Sequence, residues 1–448
     1  MTKNTPIDLN SFLEAAERGH HEDGEYLQAL REIAVDVWPV IEQSPRYRDW
    51  RVIERLMAPD RIISFKVNWT RDDGSIALNR GWRVQHSDVL GPYKGGLRFH
   101  GDVHESELKF LALEQTFKNA LTPLTLGGAK GGADFDPPGC SEQEIMRFCQ
   151  AFMTRLAPHI GARTDIPAGD INVGTREIGY LFGQYRRMSN AFEGALTGKG
   201  TGWGGSPVRE AATGHGLVHF AALAARAVGK EMEGHSVIVS GSGNVASHAA
   251  ECLIAQGAKV KTLSGRAGTL IWKDGADHAA ILSLREARAA GERDLSRLAG
   301  KVGASWHDGL SAFEVDGDIA MPCATQNELD EADARRLAET GCWMVAEGSN
   351  MASTAQAQKF LREAEGLVYA PSKAANAGGV AVSGFEMARN ARFSALNPSA
   401  LDDELRNVMS HIFEQCCEAA PREGDYAAGA NIAAFHRLAE AMIAQGVG

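Results

Sequence analysis

Apolar positions spaced by three and four open the chain. Leu9 to Arg18 and Glu25 to Ile41 carry that spacing and predict amphipathic helices. β-rich patterns follow, in Arg61-Ile-Ile-Ser-Phe-Lys-Val-Asn-Trp69 and from Ile76 to Val84 beyond the Asp-Asp-Gly turn at 72–74. Glu105 to Leu121 reads as one helix with Leu108, Leu111, Ala112, Gln115 and Phe117 marking its inner side. Gln115 and Lys118, three apart, share a face of it. A glycine loop at 127–132, a helix over 142–156 and a turn-rich stretch at 164–174 come next. Residues 198–206 hold five glycines in nine positions and suit a hinge between domains. Beyond them helices are expected at 207–228 and 245–256. Short apolar runs at 236–240, 258–263, 318–321, 343–346 and 367–370 predict strands. This alternation predicts an α/β fold, a parallel sheet with helices on both faces.

The 448 residues suffice for two or three domains. A formal net charge of −11 argues against nucleic-acid binding, which needs a basic face, but leaves room for a local cationic pocket. No apolar run approaches the ~20 residues that span a bilayer, so no membrane partner is expected. The first residues, Met1-Thr-Lys-Asn-Thr-Pro-Ile-Asp8, lack the apolar core of a signal peptide. The seven cysteines contain no Cys-x-x-Cys; reduced thiols in a cytoplasmic protein are expected, without a disulfide framework. His100 and His104 have the i, i+4 spacing of a metal pair. Gly101 lies between them and no Glu adjoins His100, so no metal site is predicted.

Three lysines change the picture. Lys94 and Lys130 each stand before a Gly-Gly pair, in settings that read as tight turns with the ammonium open to a ligand, and Lys118 lies on the 105–121 helix. Converging ammonium groups would hold a small dianion and lower one another's pKa, which suits a lysine general base. Asp170, in Pro-Ala-Gly-Asp, has two readings: a carboxylate shuttling protons beside an ammonium, or an Asx turn capping backbone N–H groups. Asp165 competes with it. Ser383 could bind a carboxylate oxygen, and Arg209 and Thr213 begin the helix after the hinge, where N-terminal donors favour anions.

After the strand at 236–240 comes Gly241-Ser-Gly243-Asn-Val-Ala246, leading into a helix. This is the dinucleotide fingerprint in its required context. About 20 residues on, where an acid usually binds the ribose of NAD, stands Ser264-Gly265-Arg266. With no carboxylate there, Arg266 is free to pair with the 2′-phosphate of NADP, or it is a solvated loop residue.

These residues lie in longer strings: 91–100, Gly-Pro-Tyr-Lys-Gly-Gly-Leu-Arg-Phe-His; 110–121, Phe-Leu-Ala-Leu-Glu-Gln-Thr-Phe-Lys-Asn-Ala-Leu; and 127–137, Gly-Gly-Ala-Lys-Gly-Gly-Ala-Asp-Phe-Asp-Pro. Ile-Pro-Ala-Gly-Asp-Ile at 166–171, Pro-Cys-Ala-Thr-Gln-Asn-Glu-Leu at 322–329 and Lys-Ala-Ala-Asn-Ala-Gly-Gly-Val at 373–380 complete the set. Over nearly its whole length the chain resembles the hexameric bacterial glutamate dehydrogenases of the Glu/Leu/Phe/Val dehydrogenase superfamily. The resemblance implies two domains with the active-site cleft between them. Residues 1–200 would bind substrate and assemble a homohexamer, with a C-terminal helix from about 427 to 448 returning to them, and 201–426 would form a Rossmann-like domain. It implies Lys130 as catalytic lysine and Asp170 as proton-transferring aspartate. Lys118, Gln115 and the backbone near Gly169 would hold the α-carboxylate, and Lys94 and Ser383 the side-chain carboxylate; Arg209 is a further substrate candidate. Thr213, Gly241, Ser242, Gly243, Asn244, Val245, Ser264, Arg266, Asn350 and Asn376 are the cofactor candidates.

The implied reaction interconverts glutamate with 2-oxoglutarate and ammonium, through 2-iminoglutarate, by hydride exchange with a nicotinamide. Lys94 and Ser383 speak against a dehydrogenase for apolar amino acids, since an apolar side chain would leave that lysine unpaired. The intact set of lysines and aspartate speaks against a non-catalytic nucleotide sensor. The cofactor signals are mixed. Ser242 resembles NADP-linked members and Ser264-Gly265 resembles NAD-linked ones, so NADP is favoured with NAD or dual use open.

Overall fold

A computed structural model of the chain describes residues 8–206, 209–394 and 397–447. The stretch up to Ile7 and the expected helix start at Pro207 lie outside the described residues. The chain forms two compact units. The first comprises Met1–Pro207, Ser383–Asn397 and Asn431–Gly448, the second Val208–Val382 and Pro398–Ala430. Residues 383–397, expected in the second domain, thus belong to the first unit. Among the described residues no helix is long and apolar enough to cross a membrane.

The first unit is built on a sheet of β1 (Arg61–Thr70), β2 (Ile76–Ser87), β3 (Tyr93–Phe99), β4 (Gly128–Ala133) and β5 (Asp165–Gly169). Their order is β1-β2-β4-β3-β5. β2 runs antiparallel to β1 and β4, while β3 runs parallel to β4 and β5. Side chains alternate across a strand. Leu97 and Phe99 join one face, packed with Phe148 and Phe152 of the Glu142–Leu156 helix and with Ile178 and Leu181 of Thr175–Ser189. The opposite face carries Val84, which packs with Leu108 and Ala112 of the Glu105–Leu121 helix. From the Tyr426–Gln445 helix, Arg437 donates to the carbonyls of Ala120 (3.0 Å) and Leu124 (2.8 Å), fixing the end of that covering helix.

Three sequence expectations are corrected here. Lys94 and Lys130 lie in strands β3 and β4, not in turns, and both are buried. Their glycines serve close approach: a Cβ on Gly95 would sit 1.6 Å from the Ala129 carbonyl oxygen, one on Gly128 2.0 Å from Thr116 Oγ1, and one on Gly132 2.3 Å from the Arg98 oxygen. The 164–174 stretch contains β5. Residues 198–206 are no slack linker, because Glu386 accepts from Gly198 N (3.0 Å) and from Lys199 Nζ (2.6 Å) in a buried ion pair.

The second unit holds β6 (Ser236–Val239), β7 (Lys259–Gly265), β8 (Gly268–Ile271), β9 (Ser305–Asp308), β10 (Ile319–Met321), β11 (Met344–Ala346) and β12 (Val368–Ala370). The order β12-β11-β10-β6-β7-β8-β9 is parallel from β12 to β7, and antiparallel pairing adds β8 and β9 at one edge. From β6 the chain builds outward through β7, then returns to place β10 on β6's other side. The crevice at such a reversal, at the strands' carboxyl ends, is where open α/β sheets bind ligands. The helix expected from 207 starts at Ala212, so Arg209 precedes it in a turn.

Candidate active site

Alternation along β3 puts Lys94, Gly96 and Arg98 on one face, toward the Glu105–Leu121 helix. Lys130 of β4 and Asp170, just past β5, meet on that face. Lys130 Nζ donates to Asp170 Oδ1 (2.8 Å) and Arg98 Nε to Asp170 Oδ2 (2.8 Å), and Arg98 also pairs with Glu107 of the covering helix. Gly96 makes the space. A Cβ there would lie 2.9 Å from Asp170 Cβ and 3.4 Å from Lys130 Nζ. The Asp170 carboxylate therefore binds side-chain cations rather than capping a turn. Asp165 is excluded as its rival: fully buried, it accepts from Arg83 Nε (2.9 Å) and Gln85 Nε2 (2.8 Å) in a structural ion pair.

The cluster's electrostatics follow from burial. Burial pushes the Lys130 ammonium down; Asp170 opposes this, while the Arg98 charge adds to it. Burial alone would raise the Asp170 carboxyl, but the cations of Lys130 and Arg98 outweigh it and hold the carboxyl well below the usual range. A lysine with a weakened hold on its proton thus stands beside an ionised carboxylate. Arg98 has no role in the sequence reading, although it lies inside the quoted 91–100 string.

Around this pair the same unit buries Lys94, Lys118 and Ser383. Asn119, next to Lys118, donates to the Lys94 backbone carbonyl (3.3 Å) and accepts from Gln115 Nε2 (2.7 Å), so it joins the Lys94 strand to the Gln115 side chain. Gly169 closes β5 opposite Leu97. Its Cα approaches the Val173 carbonyl so closely that a Cβ would lie 2.3 Å from that oxygen. His104 caps the 105–121 helix, and His100 accepts from Asp102 N (3.2 Å).

The second unit carries the nucleotide candidates. Gly241 turns the chain after β6 at φ +77°, and a Cβ there would lie 3.0 Å from Ala324 Cα, across the crevice beside β10. Ser264 at the end of β7 accepts from Gly241 N (2.8 Å) and returns its own N–H to Gly241 O (3.0 Å), fixing the loop. Gly243 is the N-cap of the Asn244–Ala255 helix, and no side chain caps it. A Cβ on Gly243 would meet nothing within 4 Å, which leaves the helix N-terminus, with Asn244 and Val245, open to a pyrophosphate. Asn376 donates to Gly348 O (3.2 Å) and Asn350 Oδ1 (3.1 Å), and its own Oδ1 is buried without a hydrogen-bond partner among the described residues. Such an orphaned acceptor fits a ligand amide or hydroxyl. Thr213 and Arg209 lie together against Gly379.

Arg266 is exposed in the turn between β7 and β8. A second cation lies deeper. Arg288 of the His278–Ala289 helix donates to Ser242 Oγ (3.0 Å) inside the glycine loop. Burial, then the nearby Arg293 charge, lowers its pKa, and among the described residues no carboxylate pairs with it. The local sequence gave no sign of Arg288, because it reaches the loop from a helix 46 residues away. The residues of this crevice fit a dinucleotide.

The Glutamate/Leucine/Phenylalanine/Valine dehydrogenase family model matches residues 204–446, and the dimerisation-domain model of the same family matches 59–187. The NADP-specific glutamate dehydrogenase of Salmonella typhimurium is 47% identical over 441 residues, 98% of each chain. The NAD(P)-specific glutamate dehydrogenase of Xylanibacter ruminicola is 44% identical, over 94% of this chain and 96% of its own. The crystal structure of Plasmodium falciparum glutamate dehydrogenase superposes with a TM-score of 0.95 at 44% identity, covering 98% of this chain and 95% of that one. A two-unit α/β oxidoreductase with a dinucleotide crevice is the class that fold and site define. The chain belongs to the Glu/Leu/Phe/Val dehydrogenase family.

Proposed function

We propose that the protein is a glutamate dehydrogenase that interconverts L-glutamate with 2-oxoglutarate and ammonium, using NADP(H). The observation that carries this reading is the pairing of the buried Lys130 with the half-buried Asp170 on the same sheet face as the buried Lys94. The site has an acid–base couple, and Lys94 is a cation for the far end of a diacid. The relatives' names support the same substrate and cofactor.

Lys118, Gln115 and the Gly169 backbone bind the α-carboxylate in this reading, and Lys94 with Ser383 binds the γ-carboxylate. Asp170, ionised, takes a proton from the α-ammonium so that the amine can release its α-hydrogen as hydride. NADP, when bound, supplies the hydride acceptor; Gly241, Ser242, Gly243, Asn244, Val245, Thr213, Asn350 and Asn376 are the residues that would hold it. Neutral Lys130 then takes a proton from the water that attacks the imine carbon. Asp170 returns its proton to the carbinolamine nitrogen; the C–N bond then breaks as the hydroxyl oxygen forms the carbonyl, and the departing ammonia takes the hydroxyl proton and leaves as ammonium. In the reverse direction the same groups exchange roles. Arg288, with Arg266 as the outer candidate, is the cation for the 2′-phosphate; Arg209 remains a substrate candidate.

A homohexamer is the assembly we infer. The dimerisation-domain match supports it, as do the exposed Ile76 and Leu78 of β2. The cytoplasmic reading rests on seven cysteines that are all free.

The direct test is NADPH oxidation dependent on both 2-oxoglutarate and ammonium, with NADH run alongside. We expect turnover with both substrates present and a preference for NADPH. Lys94→Leu should lower kcat/KM for glutamate and admit apolar amino acids. An unchanged substrate preference in that variant would sink the assignment of Lys94.

A further inference from the structure

Four histidines and two carboxylates with no role above gather in the second unit, where His215 and His248 lie about a turn or less along their helices from Thr213, Asn244 and Val245. His215 and His219 stand four apart on the Ala212–Ala227 helix, and His248 and Glu251 three apart on the Asn244–Ala255 helix. The two helices are locked closely together. A Cβ on Gly214 would lie 2.5 Å from Ala249 N and 2.7 Å from the Val245 oxygen. Ligand atoms of His215, His248 and Glu251 lie within 4.8 Å of one another. From this geometry we propose that His215, His248 and Glu251 form a binding site for a divalent transition-metal ion, with Zn²⁺ as its physiological type.

Three observations carry the proposal. Among the described residues His215 Nε2 is buried with no hydrogen-bond partner, while Nδ1 of the same ring faces Asp402 Oδ1 at 3.7 Å. A carboxylate toward one nitrogen and nothing on the other is how metal-ligating histidines are commonly supported. His248 Nδ1 already lies 3.2 Å from Glu251 Oε2, close to the ~3.3 Å between ligands around tetrahedral zinc. Two nitrogens and one carboxylate oxygen suit Zn²⁺, Co²⁺ or Ni²⁺ rather than the all-oxygen shells of Mg²⁺ or Ca²⁺.

Two neighbours bear on the site. Arg285 donates to Glu251 Oε2 (2.8 Å) and competes with a metal for that carboxylate, but its side chain is 33% exposed and can turn to water. His278, exposed, lies 3.2 Å from Glu251 Oε1 and offers a further imidazole for the open position. Unlike His100 and His104, this set has a rigid platform.

The test is a Zn²⁺ titration of the chelator-stripped full-length protein against a chromophoric competitor. We expect one equivalent per chain. His215→Gln and His248→Gln should each weaken binding at least ~10-fold while leaving metal-free dehydrogenase activity intact, which reports that each variant folds. Co²⁺ provides the second readout, and remains decisive if one variant misfolds. Visible d–d bands without a thiolate charge-transfer band are expected, and they should vanish in the variants. No stoichiometric binding, binding unchanged in both variants, or a thiolate band placing the metal on a cysteine would each overturn the site.

Discussion

A lysine serves as a base near neutral pH only where its surroundings disfavour its charge, and around Lys130, the base we propose, two features do so: burial first, the Arg98 guanidinium second. Removing Arg98 relieves a like-charge repulsion, so the Lys130 pKa rises. In glutamate oxidation kcat/KM climbs with pH as the base loses its proton, so its acid limb moves to higher pH when that pKa rises. Arg98→Met should therefore shift the acid limb to the alkaline side and lower the rate at pH 7. A rate loss with an unmoved limb would reduce Arg98 to a structural prop. At this scale the sequence was informative about lysines in marked strings and silent about their partners. Lys94, Lys118, Lys130 and Asp170 stand in conspicuous motifs. Arg98–Asp170 and Arg288–Ser242 join residues 72 and 46 positions apart, which local pattern does not encode.

Among the elements, glycine misleads in an instructive way. Gly-Gly beside a lysine reads as a turn because glycine supplies unusual dihedrals, yet β3 and β4 use these glycines in extended strands to admit a neighbouring oxygen or a catalytic side chain. Composition cannot separate the two uses, because both require the loss of Cβ. Helices were more legible. Glu105–Leu121 and Glu142–Leu156 keep their expected bounds because caps and periodicity agree, with Ser141 and Glu144 closing a capping box on the second. Gly96→Ala tests the strand reading. Its methyl would press on Asp170 Cβ at 2.9 Å and approach Lys130 Nζ at 3.4 Å. We expect kcat to fall ~10-fold or more, as misplacement of reacting groups by about 1 Å does, and the thermal midpoint to drop as well, because the tightest neighbours, Asp170 Cβ at 2.9 Å and the Gly169 carbonyl oxygen at 3.1 Å, must shift. Full activity in this variant would mean that Gly96 leaves room for nothing the reaction uses.

Taken whole, the molecule divides its labour between units that the sequence could outline but not bound. The alternation after residue 206 and the Gly241–Ala246 fingerprint announced a nucleotide-binding sheet. The antiparallel β8–β9 edge and the assignment of 383–397 to the first unit were not legible, since each depends on pairing across long separations. The proposed acid–base pair, Lys130 and Asp170, lies on one unit and the dinucleotide crevice on the other, so lesions should separate. Lys130→Ala removes a general base and should cost at least ~10²-fold in kcat, with NADPH binding, read by the quenching of protein fluorescence, left as it was. Arg288→Ala should do the reverse. It removes a half-buried cation with no carboxylate partner, weakening NADPH more than NADH and leaving the pH profile of glutamate oxidation in place. Arg266→Ala, at an exposed turn, should discriminate less, because charge pairs in water are worth little. If Arg266→Ala instead abolishes the NADPH preference and Arg288→Ala does not, the phosphate clamp sits at the hairpin tip, and the uncompensated charge on Arg288 needs another explanation.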